Sequence, residues 1–238
     1  MTEHRIVSQQ EWVTARRGLL AKEKEFLQLR DRLSRERREL PWTRVAKPYV
    51  FDGKAGSLSL ADLFHGRGQL LIYHFMFAPD WEAGCRGCSF WADSFNGIIP
   101  HLNQRDVSFA AVSRAPFPTL SKFAARMGWT FEWVSAGDGD FNYDYDVSFR
   151  PDALERKTAV HNYAPYQESM LDKPGFSVFL KDTDGAIFHT YSTYARGLDS
   201  INSAYQLLDL VPKGRDEAAL PHPMAWVKLH DLYGSQDR

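Results

Sequence analysis

The stretch QLLIYHFMFAPDWEAGCRGCSFW, residues 69–91, decides the fold. Its first nine residues form a nearly continuous apolar run of strand length, the pattern of a strand buried on both faces. One loop later come Cys85 and Cys88, the only two cysteines of the chain, spaced C-x-x-C. A helix is expected from Arg86 to about Leu102, with Phe90, Phe95, Ile98 and Ile99 on its apolar side. A buried strand handing over to a helix at a C-x-x-C is the entry to a redox site or to half of a metal site.

Outward from this core the order of elements is readable. Upstream, YVFDG is a short strand with a turn, and SLSLADLF, residues 57–64, predicts a short helix. Downstream, VSFAAVS at 107–113 is a second buried strand. PTLSKFAARMG, residues 118–128, is a helix with proline near its start and glycine at its end. TFEWVSA alternates as a strand does. Residues 137–174 hold many Asp, Asn and Tyr and few aliphatics, which predicts an insertion with little regular structure. FSVFLKD, Asp184-Gly185 and AIFHTYSTY then predict an antiparallel hairpin. LDSINSAYQLLDLV, 198–211, predicts an amphipathic helix, and a polar tail follows from Arg215 with Trp226 and Tyr233 as anchors.

Parallel strands joined by a crossover helix and completed by an antiparallel hairpin give an α/β, thioredoxin-like fold, a central mixed sheet flanked by helices. Before it stands a long amphipathic helix. Ser8 and Glu11 form a capping box. Trp12, Leu19, Phe26, Leu33 and Leu40 recur every seven residues, Arg16, Glu23, Arg30 and Arg37 make the polar face expected opposite, and Pro41 ends the element. The apolar row is expected to cover the helix's own domain, with a homodimer seam as the alternative. The expected division is a helical extension over 1–45, a thioredoxin-like domain over 46–212 with its insertion at about 137–174, and a tail over 213–238.

Composition bounds the partners. With 44 % hydrophobic residues and a formal net charge of −1, the chain can build one sizeable core and shows no electrostatic signature of nucleic acid or of an anionic membrane. It has no apolar span of membrane length, and its polar N-terminus reads as no secretory signal. The expected location is the cytoplasm, where thiols stay reduced and a C-x-x-C is redox-active or metal-binding rather than a structural staple.

Several chemistries fail at the level of residues. Asp138, Asp140, Asn142 and Asp144 sit at calcium-loop offsets, but Tyr143 replaces the required glycine and Phe149 the closing acid. No Ser–His–Asp signature and no glycine-rich phosphate loop with its lysine is present. A zinc site needs four ligands, and there is no second C-x-x-C. Of the scattered histidines, His74 reads as a core residue and His189 as the better ligand candidate. No cofactor and no metal are expected. Cys85 at the helix start is expected to be the attacking thiol and Cys88 the resolving one. Arg86 favours a Cys85 thiolate, Asp80 and Glu82 would oppose it if close, and the flanking Gly84 and Gly87 argue against deep burial of both sulfurs.

CRGCSFWADSFNG, DFNYDYDVSF and FHTYSTYARGLD, with the long N-terminal helix, LLIYHFMF and Trp81 ahead of the C-x-x-C, resemble the thioredoxin-like family catalogued as domain of unknown function 899. The resemblance spans roughly residues 8–210, implies the thioredoxin-like fold and carries the C-x-x-C over to Cys85 and Cys88. Two departures from better-understood relatives are visible. Thioredoxins place Trp directly before the first cysteine and a cis-proline before the hairpin, whereas Trp81 lies four residues upstream and Pro174 is followed by Gly175 and Phe176. SLADLF looks like peroxiredoxins, yet neither cysteine has their Thr three residues before it. The expected function is thiol–disulfide exchange on a protein or small-molecule disulfide. The alternatives are a peroxiredoxin-like peroxide reductase and a non-enzymatic module whose C-x-x-C is structural or binds metal.

Overall fold

A computed structural model describes residues 4–234. The chain divides into two units, residues 1–42 and 43–238. The first is helix α1 (Gln9–Glu39). Its capping box is formed, with the Ser8 side chain accepting from the Glu11 N–H and the Glu11 carboxylate accepting from the Ser8 N–H. No side chain of α1 is buried, and Trp12, Leu19, Phe26 and Leu33 are all exposed. The polar row lies elsewhere than expected. A spacing of four residues turns a helix by about 40° beyond a full circle, so Arg16 and Glu23 border the apolar stripe instead of opposing it. They pair with each other at 2.7 Å.

In the second unit, β1 (Thr43–Arg44), β2 (Val50–Gly53) and β3 (Gly56–Ser59) precede the central strand β4 (Gln69–His74). Then come α2 (Arg86–Ala92), α3 (Ile99–Asn103), β5 (Val107–Ser113), α4 (Phe117–Met127) and β6 (Glu132–Ser135). The insertion carries α5 (Phe141–Asp144), α6 (Pro151–Glu155), β7 (Val160–His161) and β8 (Ala164–Pro165). The hairpin strands β9 (Gly175–Lys181) and β10 (Ile187–Tyr194) lead to α7 (Ser203–Leu208). Eight strands form one sheet in the order β1-β10-β9-β4-β5-β6-β2-β3. β4 runs parallel to β5 and antiparallel to β9, and β9 is antiparallel to β10. With the C-x-x-C helix between β4 and β5, this is the thioredoxin-like fold. Among the described residues, no helix is long and apolar enough to cross a membrane.

Alternation along β4 divides the core. Leu70 and Ile72 join Val112, Val134, Phe141 and Phe179 on one face. Tyr73 and, just beyond the strand, Phe75 join Phe95, Trp133, Phe176 and Cys88 on the other. The apolar run is continuous because both faces are covered.

Three elements differ from expectation. Ser57–Ser59 belong to a strand, because Gly56 adopts φ +97° and turns β3 back onto β2; only Asp62–Phe64 are helical, as a 3₁₀ turn begun where the Ser59 and Asp62 side chains and backbones bond reciprocally. The helix after the cysteines stops at Ala92. A 3₁₀ turn at Asn96–Ile98 follows, and Pro100 sits in the first turn of α3, where its missing N–H costs no hydrogen bond. The helix expected over 198–211 is an α-helix only over α7, where the Asn202 side chain caps it by accepting from the Tyr205 N–H at 2.9 Å.

The insertion is tied to the sheet by a buried ion pair. Arg114, just past β5, donates Nε and Nη2 to the two oxygens of Asp172 at 3.0 and 2.9 Å, and the Ser148 hydroxyl donates to the same carboxylate at 2.5 Å. The pair is 13 % and 7 % exposed, so neither charge is compensated by water. Removing one partner of such a pair costs about 3–5 kcal/mol. Asp172→Ala is therefore expected to lower the unfolding free energy by about that much in urea titration, and Arg114→Met combined with Asp172→Leu to recover most of it.

Candidate active site

The site begins where β4 ends. Met76 lies one residue beyond Phe75, and its backbone engages both cysteines: its carbonyl accepts the Cys85 N–H at 3.1 Å, and its N–H donates to Cys88 Sγ at 3.4 Å. The intervening loop returns through Gly84, where an added Cβ would stand 2.8 Å from Phe75 and 3.0 Å from Phe123. Gly84 is buried, so the glycine permits close approach of backbone to rings; it does not mark an open surface as expected.

Cys85 is the N-cap of α2. Its Sγ accepts from the Cys88 N–H at 3.4 Å, and its carbonyl accepts from the Ser89 hydroxyl and N–H at 3.0 and 2.9 Å. Cys85 is partly exposed, Cys88 is buried at 2 %, and both are free thiols. The Tyr73 hydroxyl donates to the Cys88 carbonyl at 3.1 Å and anchors the first turn.

The two sulfurs titrate in opposite directions. The Cys88 thiol, donating to Cys85 Sγ, is the largest influence lowering the Cys85 pKa to about 7 against the cost of burial; the N–H groups of Cys88 and Gly87 and the charge of Arg86 add to it. Burial, and then the neighbouring Cys85, push Cys88 far above an ordinary thiol. α2 has only seven residues. The stabilisation is local, from donors within one turn. Asp80 and Glu82 are solvent-exposed.

Above the sulfurs opens a cavity of about 880 Å³. Cys85, Cys88, Met76 and Trp91 line it. Its walls come from parts of the chain the sequence did not join to the site: His161 and Lys173 of the insertion, Leu198 after β10, Tyr205 on α7, and Glu217 and Met224 of the tail. The tail is fixed by one carboxylate. Glu217 Oε1 accepts from the Tyr205 hydroxyl (2.7 Å), Trp226 Nε1 (2.7 Å) and the Met224 N–H (3.0 Å). Pro174 lines the same cavity; no peptide bond among the described residues is cis, a departure from thioredoxins.

His74 and His189 lie away from the thiols. His74 alternates with Tyr73 and points to the opposite face of the sheet. Its Nε2 shares a hydrogen bond with the Ser177 hydroxyl (2.8 Å), which bonds Ser192 (2.8 Å), which bonds His189 Nε2 (2.7 Å). Burial lowers the His74 pKa to about 3 and lowers that of His189 as well, so both are neutral at pH 7. The histidine nearest in space to the dithiol cavity is His161, which the sequence did not single out; its Nδ1 bonds the Asp146 carbonyl at 2.7 Å. Among the described residues, no group of three or more His, Cys, Asp or Glu side chains is placed to hold a metal.

Comparison with known proteins gives the following. The model of a family described as bacterial protein of unknown function (DUF899) matches residues 1–233. No curated protein matches. Similar solved structures include the peroxidoxin BcpB of Mycobacterium tuberculosis, at 16 % identity over 71 % of this chain and 97 % of that one with a TM-score of 0.46. A peroxiredoxin Q of Xanthomonas campestris is 18 % identical over 71 % and 98 %, also at 0.46. Similarity at this level assigns no role to any residue here.

The asymmetry of the sulfurs sets the pH profile of the site. Alkylation of Cys85 by iodoacetamide is expected to rise through about pH 7 and level off above it, as the thiolate fills, while Cys88 stays unreactive. Cys88→Ala removes the thiol donor and is expected to move the midpoint up toward the ordinary thiol value of about 8.5. Cys88→Ser keeps a hydroxyl donor and is expected to move it less. Rates against pH with mass-spectrometric site assignment check all three.

Proposed function

The chain belongs to the DUF899 family, and we propose that it is a thiol–disulfide oxidoreductase working through Cys85 and Cys88. The observation that supports this best is the inequality of the two sulfurs: one partly exposed and acidified, the other buried and held protonated, within one helical turn.

The chemistry follows from that inequality. The Cys85 thiolate attacks a substrate disulfide, the S–S bond breaks, and one substrate thiolate leaves. The resulting mixed disulfide carries no charge on Cys85. The charge that helped to hold Cys88 protonated is then gone, and the Met76 N–H already aimed at Cys88 Sγ favours its ionisation. Cys88 loses its proton and attacks the Cys85 sulfur. An intramolecular disulfide forms and the second substrate thiol departs. Two electrons pass from the dithiol to the substrate. A reducing compartment such as the cytoplasm suits the resting dithiol.

The test uses the two single variants. Cys88→Ser is expected to accumulate mixed disulfides on Cys85 with an added disulfide, and Cys85→Ser to accumulate almost none, read by intact mass without reductant. Similar adduct yields on both variants, together with equal alkylation rates, would count against exchange and leave a structural C-x-x-C.

A further inference from the structure

The walls of the cavity say which disulfide could reach Cys85. Even a transient redox encounter between folded proteins buries up to about 600 Å² of each surface, so a folded partner's sulfur reaches most easily a thiol that lies flush with an open face. Cys85 is not so placed. It is only partly exposed and lines an 880 Å³ cavity, a volume typical of small-molecule sites at about 300–1,000 Å³. The insertion, the segment after β10 and the C-terminal tail all rise around it. The tail reaches the C-x-x-C itself: Met224 Cε stands 3.1 Å from where a Cβ on Gly87 would lie. With Glu217 tying three donors together, this wall is a built feature.

The charges of the wall narrow the class. Apart from the Glu217 carboxylate, they come as ion pairs of both signs: Lys173 with Glu168, Arg196 with Asp199 at 3.1 Å, and Arg215 with Asp209 at 2.8 Å. A ligand carrying only carboxylates would meet an acid beside every base. One that presents an ammonium and a carboxylate together can trade with either member of a pair, while the apolar side chains of Met76, Trp91 and Met224 take its sulfur and methylene groups.

We propose that the substrate is a low-molecular-weight disulfide with zwitterionic ends, of the amino-acid or short-peptide thiol class, and that the tail excludes disulfides of folded proteins. This rests on the exchange reading above. In the balanced step RSSR and the protein dithiol give two RSH and the Cys85–Cys88 disulfide, so the dithiol is itself the reductant.

The experiment is single-turnover reduction by the full chain, reduced beforehand and freed of reductant, with cystine, hydroxyethyl disulfide and insulin as probes. Cystine is expected to react at least ten times faster than insulin and several times faster than the uncharged hydroxyethyl disulfide. Met224→Ala, which lowers the wall, is expected to raise the insulin rate at least threefold and narrow the difference. Insulin matching or outpacing cystine in the wild-type chain would overturn the inference and leave exchange intact. Equal rates for cystine and hydroxyethyl disulfide would overturn the zwitterionic assignment. If no probe is reduced although Cys85 alkylates at pH 7, the exchange reading itself fails, and this inference with it.

Discussion

The site hangs on the backbone of Met76. One peptide unit accepts from Cys85 and its neighbour donates to Cys88, so the end of β4 clamps both halves of the C-x-x-C. That clamp is only as rigid as the strand behind it. β4 is hydrogen-bonded to β5 on one side and β9 on the other, and buried side chains cover both of its faces. Displacing the strand would move both sulfurs together with the donors that separate their acidities. The apolar burial of β4 thus fixes where the two sulfurs stand.

The reverse face of the same strands carries a different constraint. His74, Ser177 and Ser192, all buried, and the half-buried His189 form one hydrogen-bonded row across β4, β9 and β10. A one-residue slip of any of these strands would turn its polar group toward the thiol face and leave its partners unsatisfied. The row adds little to net stability, since each bond replaces one to water. Its effect is on register, and register decides where Met76 presents its N–H.

What the sequence disclosed follows from the range of the forces involved. β4, β5 and the β9–β10 hairpin were legible because strands buried on both faces must be apolar throughout and because Asp184-Gly185 suits a tight turn. The capping box was legible because it needs only Ser8 and Glu11. SLS was misread because its strand character depends on pairing with β2 through the turn at Gly56. The early end of α2 was not legible, because SFWADSF still looks helical and Asp93, which follows the helix, is held from afar by Trp129 and His230. The cysteines themselves stood out by spacing. His161, Glu217 and Met224 did not, because nothing local marks a lone histidine in an acidic insertion, or a glutamate in a polar tail, as part of a wall built around residues far earlier in the chain.

The three bonds to Glu217 have a consequence for how the molecule comes into being. Translation proceeds from the N-terminus, so β4, the C-x-x-C and α2 leave the ribosome well before Glu217 and Met224. Until those residues arrive, the nascent chain carries an acidified sulfur with one side of its chamber absent, open to partners that the finished protein would turn away. The closing of the tail is then an event in time as well as a feature of shape: it converts an unguarded thiol into a selective one, and it does so only after Glu217 and Met224 have followed the cysteines out.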